Sequence, residues 1–397
     1  MTIRIPLSAP DITEAEIDAV TAVLRTNRLS LGPELEAFER ALAAYHSIPD
    51  AVAVSSGTAG LHLALLALGI GEGCEVVVPS FAFVAVANAV LQVRATPVFV
   101  DIDPVTLNLD PALVEEAITP LTRAILVVHT FGVHAEMDRL QEIARRHNLV
   151  LIEDACEAIG AEYDSQKVGG FGDLAVLGFY PNKQITTGEG GCVLVRDPEL
   201  ADRLRSLRNQ GRVPKLRDDS VNEFEERDLA ASWFEHGEIG YNYRLSELAA
   251  ALGRVQLGRL DEILALRRSA AERYQSLLET ISDLDLPPLV LPRRTASWFV
   301  YVVRLSDNYG GPAGDSRIRD RVQNALAQRG IAAGRYFAPI HRQPAWSSHP
   351  SSVAARVPIT EAIARRTLAL PFFNRITAAQ QEEVVAILSL TIKECKR

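Results

Sequence analysis

Ala51-Val52-Ala53-Val54-Ser55-Ser56-Gly57-Thr58-Ala59-Gly60-Leu61-His62-Leu63-Ala64-Leu65-Leu66-Ala67-Leu68 is the stretch that sets the architecture. Ala51 to Val54 form a short apolar run of strand character. The chain passes straight into Ser55-Ser56-Gly57-Thr58, and Ala59 to Leu68 then reads as a helix stopping at Gly69 and Gly71. This helix is apolar nearly all round, so it is expected inside the molecule. A helix beginning directly after a strand offers unpaired backbone N–H groups and a positive dipole end, which suits a phosphate. An ordinary N-cap by Ser56 or Thr58 accounts for the same residues.

The alternation continues outward. Strand-like runs fall at Val76–Val78, Pro97–Val100, Ala124–Val128, Leu149–Ile152, Leu174–Tyr180 and Cys192–Val195. Helical patterns fall between them at Ala85–Gln92, Ala112–Ile118 and Glu136–His147. Strands apolar on both faces and separated by helices predict an α/β fold with a mostly parallel central sheet flanked by helices. Upstream, Ile12–Leu24 and Glu34–Tyr45 have helical spacing, with a loop from Asn27 to Pro33 between them. After about Gly253 the texture changes. A long charge-flecked helix is expected over Val255–Ile281, then a strand over Trp298–Leu305, a loop to Asp315, and helices rich in Ala and Arg. With 397 residues the chain exceeds what one core usually supports, so two lobes are expected: residues 1–255 as the large one, and 256–397 as a smaller C-terminal α+β lobe.

The formal net charge of -9 provides no basic surplus to displace counterions, which argues against nucleic-acid or acidic-membrane binding. Any anionic substrate must be received by local Arg and Lys groups. Cys74, Cys156, Cys192 and Cys395 form no C-x-x-C pair, so neither a metal site nor a disulfide framework is expected. The N-terminus lacks the apolar run of a secretory signal, and Leu61–Ile70 is too short to span a bilayer. The expected location is cytoplasmic.

Two further features bear on chemistry. Leu149 to Ile152 runs into Glu153-Asp154, placing acids at the carboxyl end of a strand, where open α/β sheets bind ligands. Capping of a following helix is the competing role for Asp154. Lys183 lies between Gly178-Phe179-Tyr180-Pro181-Asn182 and a run ending in Gly188-Glu189-Gly190-Gly191. A loop lysine is usually a solvated charge, but these glycines let the backbone close tightly. Their order does not match a P-loop. A strand-end acid, a phosphate-type turn and a loop lysine together are what pyridoxal phosphate needs: a partner for its ring nitrogen, an anchor, and an amine for its aldehyde.

The chain resembles the DegT/StrS family of sugar aminotransferases, which have the aspartate-aminotransferase (type I) fold. The resemblance rests on SSGTAGLHLAL (Ser55–Leu65), VPSFAFVAVANAV (Val78–Val90), PVFVDIDPVTLNLD (Pro97–Asp110), IEDACEA (Ile152–Ala158), FYPNKQITTGEGG (Phe179–Gly191) and GYNYRLSE (Gly240–Glu247). It implies that Lys183 forms the imine with pyridoxal 5'-phosphate and that Asp154 keeps the pyridine nitrogen protonated. It further implies that Phe83 stacks on the ring, that Gly57, Thr58 and Ala59 receive the phosphate, and that Asn242 and Arg244 reach the phosphate of a neighbouring subunit. A homodimer with shared active sites would follow. Two positions depart from the family pattern. Gly178 stands where a phosphate-binding Ser is common, and Glu157 where Gln or His is common. A carboxylate there would repel the cofactor's phenolic oxygen unless protonated or turned towards substrate.

The resemblance also implies L-glutamate as amino donor and a nucleotide-linked keto-sugar as acceptor, in amino-sugar biosynthesis. The segments expected to face sugar or nucleotide contain Asn27, Arg28, Leu29, Ser30, His129, Arg335, Tyr336 and His341. Arginines 28 and 335 suit a diphosphate. For His129 a packed histidine, and for His341 a structural role, explain the residue as well, while Trp298 and Tyr301 read as core. Dehydratase relatives carry His in place of the lysine, so Lys183 argues against them. An enzyme acting on a keto-cyclitol or an aminohydroxybenzoate precursor keeps the lysine, and motifs alone do not separate it. A sugar-binding or regulatory protein without activity fits poorly with intact Asp154, Lys183 and Thr58. No G-x-G-x-x-G follows a strand, against a dinucleotide enzyme.

Overall fold

The computed structural model describes residues 2–212, 235–306 and 317–395. Residues 307–315 of the loop expected from composition lie outside these. The strands are β1 (Asp50–Val54), β2 (Glu75–Pro79), β3 (Thr96–Val100), β4 (Thr122–Val128), β5 (Val150–Asp154), a short hairpin of β6 (Glu162–Tyr163) and β7 (Gln166–Lys167), then β8 (Leu174–Gly178) and β9 (Gly191–Val195). Seven of them form the central sheet in the order β1-β9-β8-β5-β4-β2-β3. The pairings from β3 through β8 are parallel, and β9 runs antiparallel to both β8 and β1.

The apolar runs form these strands because both faces are covered. Val76, Val77, Val78, Ile125, Leu126, Val127, Ala175 and Val176 have no exposed surface. Each large side chain so buried stabilises the fold by about 1.5–3 kcal/mol. The helix Gly57–Ala67 lies against the sheet, and Gly60 sets how closely: a Cβ there would come within 2.7 Å of Val176. That contact is why a helix apolar all round tolerates glycine.

The helix expected over Val255–Ile281 is two helices, Glu247–Gly258 and Leu260–Leu278. Gly258 is a poor helix former, and Arg259 leaves helical geometry at φ -102°, ψ 4°. Its guanidinium is held by Asp11 at 3.0 Å and Glu16 at 2.7 Å, which anchors the bend.

A second core gathers Tyr274, Tyr301, Val303, Val322, Leu326, Leu368, Leu370, Val384 and Leu388 around a three-stranded sheet of Leu284–Asp285, Tyr301–Leu305 and Thr367–Leu370. Trp298 and Tyr301 are buried in it, as core side chains. Ile5 also packs there, so the N-terminal segment reaches across to the C-terminal part of the chain. Among the described residues no helix is long and apolar enough to cross a membrane.

Candidate functional site

Parallel strands bring their carboxyl ends to one edge of the sheet. Val128, Asp154 and Val176 lie in register across β4, β5 and β8, and Gly178, Gly191 and Val54 across β8, β9 and β1. Asp154 ends β5, only 7% exposed, and its Oδ1 accepts the Cys156 N–H at 3.0 Å. Turns follow it and no helix, so Asp154 is not a helix cap.

The loop bearing Lys183 is closed on itself. Phe179 N–H donates to Gly190 O at 2.9 Å, Thr187 N–H to Phe179 O at 3.0 Å, and Lys183 N–H to Tyr180 O at 2.9 Å. Lys183 Nζ lies 3.5 Å from Glu157 Oε1 and 4.0 Å above the centre of the Phe299 ring, with its side chain 15% exposed. Glu157 Oε2 accepts the Phe131 N–H at 3.0 Å. Burial raises the Glu157 pKa; the Lys183 charge and the Phe131 hydrogen bond oppose that, and the Asp154 charge adds to it. Burial, then the charge of Asp154, drives the Cys156 thiol well above its usual range. Asp154, Cys156, Glu157 and Lys183 therefore form one electrostatic cluster.

Beside it begins the helix Gly57–Ala67. Ser56 is its N-cap, accepting the Ala59 N–H at 3.0 Å, so one of the two residues read as a cap is one. Gly57 and Thr58 are the first helical residues, whose N–H groups have no intrahelical carbonyl to bond. The backbone here is packed too tightly for side chains. A Cβ on Gly191 would lie 2.6 Å from Ser56 and 2.7 Å from Gly57, and one on Gly57 would lie 2.7 Å from Cys156 Sγ. At Gly178 a Cβ would meet Cys156 Cβ and Sγ at 3.1 Å. A serine at this position would crowd Cys156. Phe83 leaves its ring 63% exposed, and Asn182 Oδ1 is buried with no partner among the described residues.

Tyr336 joins this group: its ring stacks on Phe299 at 6.1 Å, and burial raises its phenol against a hydrogen bond from Asn182. Two histidines read as substrate contacts are engaged by groups of the chain itself. His129 has no exposed surface; Ala135 N–H donates to its Nδ1 at 3.2 Å, so its Nε2 carries the proton donated to Glu153 Oε2 at 2.9 Å. Glu153 and Asp154 alternate faces of β5, and His129 pairs with Glu153. His341, 5% exposed, has Nδ1 2.7 Å from Ser80 Oγ and Nε2 3.0 Å from Glu361 Oε1, pinning β2's end to the helix Pro358–Ala364. Both its ring nitrogens are engaged within the chain. Arg335 is held by Gln323 at 3.0 Å and Asp320 at 3.1 Å, partners it must leave to bind a diphosphate.

Asn27, Arg28, Leu29 and Ser30 are all exposed. Leu29 O accepts Glu247 N–H at 3.1 Å, and Ser30 bridges Ser246. The same segment carries exposed Asn242, paired with Asn209, and Arg244, whose Nη1 donates to Asn209 Oδ1 at 2.9 Å. Ser55 N–H donates to Tyr243 O at 2.8 Å, tying the segment to the end of β1. The two groups thus stand together, while the contacts of Lys183 lie with Glu157 and Phe299.

Sequence reading missed Phe299 and Arg267. Phe299 came in a run read as strand, with no cue to single it out. Arg267 had a signal: it falls in helical register with Ile263, Ala270, Ala271, Tyr274 and Leu278, all buried. A charged residue inside an apolar stripe marks a buried charge.

An α/β sheet with a strand-end acid, a helix N-terminus and a half-hidden lysine along one carboxyl edge is the architecture of a pyridoxal-phosphate-dependent transferase. The chain belongs to the DegT/DnrJ/EryC1/StrS aminotransferase family, whose model matches residues 10–389. It is similar to GDP-perosamine synthase of Caulobacter vibrioides, 40% identical over 97% of each chain. It is 38% identical to dTDP-3-amino-3,4,6-trideoxy-alpha-D-glucose transaminase of Streptomyces venezuelae, over 97% of this chain and 95% of that one. The crystal structure of S. venezuelae DesV in complex with a ketimine intermediate superposes with a TM-score of 0.84 at 37% identity, covering 100% of both chains. The protein is a pyridoxal-phosphate-dependent aminotransferase. Its residues fit that cofactor: a carboxylate almost buried, an exposed aromatic face, free first-turn N–H groups, and an amine held only by a 3.5 Å contact to Glu157 and by a ring.

Proposed function

We propose that this chain transfers an amino group from L-glutamate to a nucleotide-linked keto-sugar in amino-sugar biosynthesis, with Lys183 holding the cofactor. The observation that carries this is the placement of Lys183 Nζ between Glu157 and Phe299 in the cluster with Asp154. The sugar-nucleotide names of the two relatives support the substrate class. They carry different nucleotides, GDP and dTDP, so the base is settled by assay.

When bound, pyridoxal phosphate supplies an electron sink that lowers the cost of removing the donor's α-proton. Asp154, almost buried, holds a proton at the ring nitrogen, because a carboxylate out of water strongly favours a cationic neighbour. Phe83 offers its exposed face to the ring. The N–H groups of Gly57 and Thr58 receive the phosphate at the helix end. Lys183 Nζ, freed when the donor takes its place, would take the proton from the donor's α-carbon and deliver it on the same face to the carbon that had borne the imine. The tight backbone of the 179–190 loop restricts where Nζ can go. Asn242 and Arg244, with Asn27 to Ser30, present to a second copy of the chain and complete its site.

Borohydride reduction of the cofactor-loaded enzyme followed by peptide mapping is expected to place the adduct on Lys183. Mass spectrometry of products from a panel of keto-sugar nucleotides with L-glutamate identifies the acceptor. An adduct on another lysine, or no aminated sugar from any nucleotide in the panel, would overturn the reading.

A further inference from the structure

Arg267 is 2% exposed in the middle of the helix Leu260–Leu278. Among the described residues no carboxylate lies within salt-bridge distance of it. Asp11, the acid whose charge bears on it, is engaged by Arg259 and Arg375. Burial lowers its pKa to about 9, so it stays charged at neutral pH. An unneutralised buried guanidinium is costly, and packing alone would be served by Leu or Met at this position.

What the charge does instead is collect carbonyls. Nη2 donates to Lys183 O at 3.2 Å, and Nη1 reaches Trp298 O and Phe299 O at 3.4 Å each. The guanidinium carbon also lies 5.4 Å from the centre of the Phe372 ring. Lys183 supplies the amine, and Phe299 the ring on which that amine rests at 4.0 Å. One rigid, planar cation thus ties the backbone of both. A second tie joins the same segments: Gln184 Nε2 donates to Glu157 O at 2.7 Å and to Ser297 Oγ at 2.8 Å. Loss of Arg267 alone should therefore displace Lys183 without unfolding the loop.

We infer that Arg267 is a positioning residue that fixes Lys183 Nζ over the Phe299 ring and in front of Glu157. This rests on the reading of Lys183 as the cofactor lysine. The test uses Arg267→Met, which keeps the length and loses the donors, and Arg267→Lys, which keeps the charge and part of the donor set. In Arg267→Met, the glutamate-driven change in cofactor absorbance is expected to slow about 100-fold, the scale of a 1 Å misplacement. KM for glutamate should stay within about threefold, and borohydride trapping at Lys183 should slow on the order of tenfold, as for a displaced reactive group. Arg267→Lys should recover part of both rates. Wild-type rate and trapping in a folded Arg267→Met enzyme overturn the inference. Equal losses of melting temperature and cofactor in both variants, with kcat and KM changing together, also overturn it by making the role merely structural. Should Arg267→Met fail to fold, Arg267→Lys decides: lower kcat at constant KM supports positioning, and an unchanged kcat refutes it. If the wild-type adduct is not on Lys183, the failure lies in the reading of that lysine, and this inference falls with it.

Discussion

Glu157 feels two opposing influences, burial favouring its neutral form and the Lys183 charge favouring its ionised form. Once the lysine amine is uncharged, the second influence goes and the carboxyl holds its proton more readily. Glu157→Gln should therefore keep kcat within about tenfold, since an amide reproduces the neutral acid's shape and accepts the Phe131 N–H. Glu157→Ala leaves that buried N–H unpaired and should cost about 1–3 kcal/mol, read as a lower melting temperature. A Glu157→Gln enzyme with kcat lost and stability intact would mean that the charge itself is used. His46 shows the related effect on stability. Burial lowers its pKa to about 4, and its Nδ1 donates to Val168 O at 2.8 Å. The unfolded ring takes up a proton near 6.5, and the folded one only near 4. Stability from this group is complete above about pH 6.5 and is lost as pH falls from there through about 4, on the order of 3 kcal/mol. His46→Asn, which keeps a donor for Val168, should flatten the dependence of melting temperature on pH between 6.5 and 4; an unchanged slope would exclude His46 as its source.

At the level of elements, strand positions were legible, though not their ends, because a strand covered on both faces must be apolar throughout, and Val76–Val78 or Ala124–Val128 leave little else to read. The break at Gly258–Arg259 was not legible, since it depends on Asp11 and Glu16 arriving from far along the chain. The histidines illustrate the same limit: which face His129 takes depends on Glu153, and the environment of His341 depends on Ser80 and Glu361. The placing of Asp154 at a strand end and of Lys183 in a closed loop was legible because strand-end and glycine-loop positions are encoded locally. Gly178 lies between these cases. Its departure from the family pattern was visible, but the crowding there by Cys156, from the turn after β5, was not. The pair predicts non-additive behaviour. Gly178→Ser alone should destabilise by about 1–3 kcal/mol through overpacking at the end of β8. With Cys156→Ala the space opens, and the double variant should recover most of that loss and bind cofactor at least as firmly. Denaturant melts of the four proteins in the cycle measure the coupling, and simple additivity would sink the account.

Over the whole molecule, the candidate site residues of one chain fall into two sets of contacts. Lys183 Nζ lies with Glu157 and Phe299, while Asn27–Ser30 and Asn242–Arg244 pair with each other's segment and with the end of β1. In the dimer proposed above each group would complete the other copy's lysine site, and a two-fold axis would make that exchange reciprocal. Lys183→Ala and Asn242→Ala/Arg244→Ala proteins should then each be nearly inactive for different reasons. When the two are unfolded together and refolded, about half the dimers are mixed, and each mixed dimer has one site with both defects and one with neither. The mixture should therefore regain about a quarter of wild-type activity, the fraction of intact sites under random pairing. Activity no greater than the sum of the separate proteins, in a sample proved by mass to contain mixed dimers, would place Asn242 and Arg244 in their own chain's site or in none.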